Sequence, residues 1–335
     1  MQYELRYRVI EAKRNTYQNL IDRYGDQPAS RYLEGTVDVQ PQENFHYRPT
    51  WAPDCELYDP RFTALQLSDS YSFVDPRQYF YTPYVTARCA LHDAFAKTLG
   101  YIQERDLLMR MPDAWREVLV SVIVPLRHFE SAAQLVSVAG ARFADGTSIE
   151  QCCTFAAFDR IGNAQMLSHI GLELAGGRAD ALDTAKHNWL DTEHLQPLRR
   201  LAEEIMVVSD WAEGLLAIDL VDSLIYPVLY RDLDDAALMS GAGAYSMLAQ
   251  HFTAWFADHR KWIDALTREW SDDPNHGDNN RATLAQITQR WQPRVHSAVA
   301  ALAAAIDASE PSVRSTELLA GTTGPAWAQT TAGAA

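Results

Sequence analysis

The feature that most constrains this chain is a helical period that persists from Arg77 to Arg231. Between 148 and 175, Phe155, Phe158, Ile161, Leu167 and Ile170 fall mostly three or four residues apart, the spacing that lines one face of a helix. Gly176 and Gly177 then stop it. The same reading predicts helices over 77–101, 113–144, 180–190 and 198–230. Pro112 suits a helix start, while Pro125 and Pro227 each remove a backbone donor and predict bends. Strand signals are nearly absent. Four of these helices are about twice the usual length of ~10–14 residues. In series they predict an all-α fold built as a long bundle. Residues 234–306 predict two or three further helices, among them 245–270 and 279–306, divided by the turn "SDDPNHGDNN".

The flanks differ in kind. Residues 1–76 hold one short predicted helix, Asn15–Tyr24, and then prolines at 28, 41, 49, 53, 60 and 76. Such punctuation makes no regular element. The interleaved Tyr, Phe and Trp still demand burial, so the segment reads as an extended arm on a surface, its own or a partner's. After Ser309 the sequence thins, and 309–335 is expected to be a disordered tail. The predicted organisation is an arm, 1–76, a helical domain, 77–308, and that tail.

Composition narrows the function classes. The 335 residues are 47% hydrophobic, ample for a core. A net charge of -15 with no basic run argues against nucleic acid as a partner. Nine Trp and fifteen Tyr argue against an acidic disordered chain. The most apolar run, "VLVSVIVPL" at 118–126, is about half the ~20 residues a membrane span needs. No charged start precedes an apolar segment, so no signal peptide is expected. Cys55, Cys89, Cys152 and Cys153 form no Cys-x-x-Cys and read as small buried thiols in a reducing cytoplasm.

Long bundles are where carboxylate-bridged metal pairs are built, from a Glu on each of two helices and Glu-x-x-His on each of two more. Of ten histidines only His46 has a Glu three residues earlier, Glu43. That pair lies between Pro41 and Pro49, where a helical face is not expected. Asp191–His194 and Asp273–His276 fall at a helix junction and in a turn. The chain therefore lacks the metal motif that its fold would carry. "GAGAYS" at 241–246 follows no strand and is not a dinucleotide loop. Neither a phosphate loop nor a Gly-x-Ser-x-Gly elbow occurs. His128 and Glu130 are two apart, on different helix faces, and His128 is expected to be a buried histidine with a hydrogen-bond partner. Asp210, Glu213, Asp219 and Asp222 sit on one predicted helix. Any that are buried need partners, which Arg88, Arg127 or Arg160 can supply.

Several stretches then carry a resemblance: "GDQPASRYLEGTVDVQPQENFHYRPTWAPDCELYDPR", "DPRQYFYTPYVTAR", "FDRIGNAQMLSHIGLELAGG", "LRRLAEEIMVVSDWAEGLLAIDLVDSLIYP" and "NNRATLAQITQRWQPR". Across roughly 15–305 the chain resembles the β, non-catalytic hydroxylase subunit of bacterial multicomponent monooxygenases, with the phenol hydroxylase branch the nearest in likeness. The resemblance implies a ferritin-like bundle and an α2β2γ2 assembly with α and γ subunits. It implies a di-iron centre in the α subunit and no cofactor, metal or catalytic residue in this chain. It also implies a transient regulatory protein and an NAD(P)H-dependent reductase. The arm then becomes an intersubunit device through Arg31, Tyr32, Phe45, His46, Tyr47, Arg48, Trp51 and Tyr58, with Arg31 and Arg48 pairing carboxylates of the partner. A self-sufficient ferritin-like di-iron enzyme and a helical scaffold of another class remain the alternatives.

Overall fold

In the computed structural model, which describes residues 13–329, the chain is helical almost throughout and no strand occurs among those residues. The arm carries two short helices, α1 (Gln18–Tyr24) and α2 (Arg31–Thr36). The bundle follows as α3 (Tyr81–Glu104), α4 (Asp113–Val118), α5 (Arg127–Phe143), α6 (Thr147–Leu174), α7 (Asp180–Asp191), α8 (Gln196–Met206) and α9 (Trp211–Ile225). Beyond it lie α10 (Asp234–Met239), α11 (Gly243–Asp272), α12 (Gly277–Ser309), α13 (Ser315–Gly321) and α14 (Ala326–Gln329). Trp115, Trp255, Trp262, Trp270, Tyr226, Tyr245, Phe129 and Phe252 are fully buried and fill the spaces between the long helices.

Two predicted helices are less regular than their period suggests. The stretch 198–230 is two helices, α8 and α9. Asp210 breaks it by capping α9, accepting from the Ala212 and Glu213 N–H groups. Helix α9 then widens into a π segment, Tyr226–Asp232, which contains Pro227. The path 113–144 also stays helical but changes pitch. Leu119–Ile123 is a π segment and Val124–Leu126 a 3-10 turn. Pro125 has no N–H to offer the carbonyl four residues back, Ser121. His194 Nε2 takes that carbonyl instead at 3.0 Å, and Asn188 Nδ2 donates to the Val120 carbonyl at 3.1 Å.

The arm lies on this chain's own bundle, which corrects its assignment to a partner alone. Tyr32 is only 4% exposed; its hydroxyl accepts from Asp75 N–H at 2.8 Å. The extended stretch that follows is tied to helix ends. Ala64 N–H donates to Asp210, Gln66 N–H to Asn280 Oδ1, and Ser68 N–H to Asp273. Helix termini carry unused polar groups, and an extended strip supplies complementary ones. Trp51 stands edge-on to Phe62 and Phe143, Phe45 to Tyr58, and Arg142 lies over the Tyr47 ring. Arg48 pairs with Glu56 of the same arm.

The tail is the second correction. Residues 310–329 are ordered: α13 and α14 form, and Val313, Leu319 and Trp327 are buried. Asp307 accepts from Ser315 and Thr316 N–H, holding the start of α13. Three apolar anchors suffice to dock a segment that has no sustained period. Residues 330–335 of the predicted tail, and 1–12 of the arm, lie outside the described residues.

Candidate functional site

The middle of the bundle holds a buried ionic centre around Arg160 of α6. Its guanidinium is 1% exposed. It donates from Nη1 to Glu130 of α5 and to Asp222 of α9, each at 3.1 Å, and from Nη2 to the second Asp222 oxygen. Tyr226 donates its hydroxyl to Glu130 at 2.6 Å and is itself donated to by Asn163 at 3.0 Å. The Arg160 guanidinium lies 4.8 Å from the Trp255 ring centre, and Trp255 stacks on His259. Helices α5, α6, α9 and α11 all contribute.

The electrostatics are those of two carboxylates sharing one cation. Burial pushes Asp222 up to about 7; Arg160 pulls it down, and Glu130 and Asp219 push it up further. Burial alone would lower Arg160, but Asp222 and Glu130 hold it well above its ordinary value. His259 is fully buried, so desolvation, reinforced by Arg160, keeps it neutral well below the usual histidine range.

A second cluster lies toward the arm. Arg88 of α3 forms a two-pronged pair with Asp159 of α6, at 2.6 and 2.8 Å, and reaches Asp258 of α11 at 2.8 Å. Tyr84 donates to the same Asp159, and Arg77, paired with Asp75, sits 3.7 Å from Asp258. Elsewhere, Arg260 of α11 pairs with Asp219 of α9 and with Asp264, and Trp327 from the tail donates to Asp219 at 2.8 Å.

A carboxylate-bridged metal pair needs facing carboxylates and histidines free to bind it. Glu130 and Asp222 are the carboxylates of the centre, and the Arg160 guanidinium stands between them. His259 Nδ1 already receives the Trp262 indole N–H at 3.3 Å. Among the described residues no group of three or more His, Cys, Asp or Glu is arranged to hold a metal. These residues do not fit the group: the place a cation would occupy is filled by the protein's own guanidinium.

The sequence singles out Arg88, Arg160, Asp219 and Asp222, but not their company. Arg260, Tyr84 and Tyr226 were missed, because nothing in a linear pattern pairs a residue of α11 with one of α9. Asp210 and Glu213 lie at the start of α9, where Glu213 accepts from Arg290 and the Trp291 indole. Arg127 donates to Ser168. The expected partner of His128 is missing from its Nε2, which is buried without a hydrogen bond; the ring stacks on Trp189. Burial, with Arg127 and Lys186 nearby, pushes His128 down to about 4. Glu43 and His46 sit exposed on an irregular stretch, not on a helical face. Among the predicted interface residues, Arg31, His46, Tyr47, Arg48 and Trp51 are exposed, while Phe45 and Tyr58 are half-buried. Cys152 and Cys153 are buried as expected, but Cys89 is exposed.

Fold and centre together define an all-helical, long-bundle protein whose middle is closed by its own charges. Among the described residues no helix is long and apolar enough to cross a membrane. Residues 51–274 match the family described as Methane/Phenol/Alkene Hydroxylase. The chain is 38% identical over 306 residues to the phenol 2-monooxygenase oxygenase component DmpL of Pseudomonas sp. strain CF600, covering 90% of this chain and 91% of that protein. It is 33% identical to the corresponding component MhpL of Acinetobacter pittii, covering 93% and 96%. The solved phenol hydroxylase from Pseudomonas sp. OX1 superposes with a TM-score of 0.83 at 32% identity, over 94% of this chain and 98% of that one. A chain of toluene 4-monooxygenase, at 18% identity and a TM-score of 0.77, shares the fold. The chain belongs to the methane/phenol/alkene hydroxylase family, as a hydroxylase-component subunit of a multicomponent monooxygenase.

Proposed function

We propose that this chain is the non-catalytic β subunit of a cytoplasmic, phenol-type hydroxylase, assembled as α2β2γ2. Oxygen insertion into the aromatic ring, with NAD(P)H-derived electrons, belongs on this reading to the di-iron α subunit. A regulatory protein and a reductase act on the assembly transiently. The observation that carries the reading is Arg160, which occupies the centre of the bundle with Glu130 and Asp222 on either side.

An uncharged outer face supports an assembly role. Leu135 and Val138 of α5 and Phe158 and Ile161 of α6 are all exposed on one packed helix pair. Along α5 this face runs on to Arg142, which meets Tyr47, and to Phe143, which meets the half-exposed Trp51. The outer edge of the arm and the α5–α6 face thus form one strip, suited to a large hydroxylase partner.

The test is to purify the chain alone and with its α partner. Isolated chain should carry sub-stoichiometric iron, and Phe158→Glu with Leu135→Glu should abolish co-purification while leaving the helical content intact. Two irons per isolated chain, lost on Glu130→Gln, would overturn the reading.

A further inference from the structure

We infer that the seam between arm and bundle is a built water-binding site, in which one or two waters join Trp211 of α9 to Asp145 and to the arm. Trp211 is only 4% exposed, yet its indole Nε1 is buried with no hydrogen-bond partner among the described residues. A buried donor left unpaired is costly and uncommon. Trp211 lines a cavity of about 30 Å³, together with Thr63, Gln66 and Ser70 of the arm and Asp145 between α5 and α6. A bound water takes about 10–15 Å³ of such space, so there is room for one or two.

Three features build the cavity. Trp211 opens α9 directly after Asp210, which accepts from Ala64 of the arm, so its ring stands where arm and bundle meet. The Cε3 edge of that ring is turned to Gly140 of α5, where an added Cβ would stand 3.3 Å from it. Cε3 and Nε1 lie on opposite edges of an indole, so the N–H edge is turned away from α5 and toward the cavity. Gly146, at φ +98°, lets the arm close over the space, because a Cβ there would collide with the Ser70 carbonyl. Leu65, Ile149 and Trp270, all buried, are the apolar walls.

The polar lining selects the occupant. An indole N–H only donates, so the occupant must accept. Asp145 accepts from the Ser70 hydroxyl at 2.7 Å. Burial still pushes this carboxyl above its ordinary value, against the Ser70 bond and with Asp59 and Asp69 adding to the rise. A further donor would relieve it, so the occupant must also donate. A metal ion or ammonium cannot accept from the indole, an anion would face Asp145, and an apolar gas would leave the N–H unpaired. Water meets both demands. Gln66 spends its Nε2 on the Pro60 and Thr63 carbonyls, which leaves its Oε1 as an acceptor for a second water. The site is a fourth tether of the arm, beside the Ala64, Gln66 and Ser68 bonds, and the one that solvent supplies.

Two readouts on the full chain test this. In a crystal structure fine enough to show solvent, one or two waters are expected within about 3.2 Å of Trp211 Nε1 and of the Asp145 carboxylate. An anion there, or no density between the two groups, overturns the inference. In solution, with isotope-labelled tryptophan, the Trp211 indole proton should show a direct Overhauser effect from water; its signal is the one lost in Trp211→Phe. The Trp262 indole, bonded to His259 in the core, should show none. An effect absent at Trp211, or equal at both indoles, overturns the inference. The crystal readout needs no variant, and neither readout depends on iron content or on assembly, so this inference and the proposed function fail separately.

Discussion

Arg160 and Arg88 are both buried arginines on long helices, yet they solve different problems. Arg160 is sealed among α5, α6, α9 and α11, with two carboxylates sharing its single charge. Arg88 lies nearer the edge, where Arg77 and Lys261 also face Asp258, and Tyr84 steadies Asp159. The first cluster has more anion than cation and no second cation; Glu130 keeps only the Tyr226 hydroxyl. The second is redundant. Buried charge is costly unless paired, so redundancy and not burial alone sets how much a cluster matters.

The largest effect that sharpens this contrast is the loss of the sealed cation. Arg160→Met leaves Glu130 and Asp222 buried without a cation, and should destabilise the chain by about 3–5 kcal/mol in urea unfolding. A loss below about 1 kcal/mol would mean that water reaches the centre and that the two clusters are alike.

The next effect is on pH, and the two clusters should respond in opposite directions. Asp222 has a folded-state value raised to about 7, so its contribution is fully present below the ordinary carboxylate value and fades as pH rises through 7. Between pH 5 and pH 8 this should cost on the order of 2 kcal/mol, and Asp222→Asn should flatten that slope. Asp258 is lowered: burial opposes the shift, and Arg88 outweighs it. Its contribution is present above the ordinary value and lost as pH falls below it. Urea midpoints across pH 3–8 separate the two, and a slope unaffected by Asp222→Asn would break the comparison.

The smallest effect is Arg88→Met, expected at about 1–2 kcal/mol because Asp159 keeps Tyr84 and Asp258 keeps Arg77 and Lys261. A loss as large as that of Arg160→Met would show that redundancy does not protect the edge.

Much of the bundle was legible because its signal is local. The period through Phe155, Ile161 and Ile170 requires only that one helix hide one face, and α6 forms within one residue of its predicted bounds at each end. The break at Asp210 was a capping signal inside a run that looked continuous. It was hidden because apolar spacing resumes at once with Leu215 and Ile218. The tail failed for the opposite reason: Trp327 is held by Asp219, 108 residues away, and no window of sequence contains both. The ionic centre was half legible. The charged residues stood out on apolar helices, while the choice of partner depends on how four helices come together.

The arm's tethers also bear on the order of events during folding. Gln66 is bonded to Asn280, 214 positions later, and Ser68 to Asp273, 205 later. A ribosome releases the arm first, but the helix ends that receive it are made last. Contacts this distant in sequence form slowly. Until then the α5 end at Phe143 is the early-made surface on which Trp51 and Phe62 can lie. The nascent chain therefore passes through a stage with its bundle partly built and a proline-rich aromatic strip still loose, open to proteases and to chaperones.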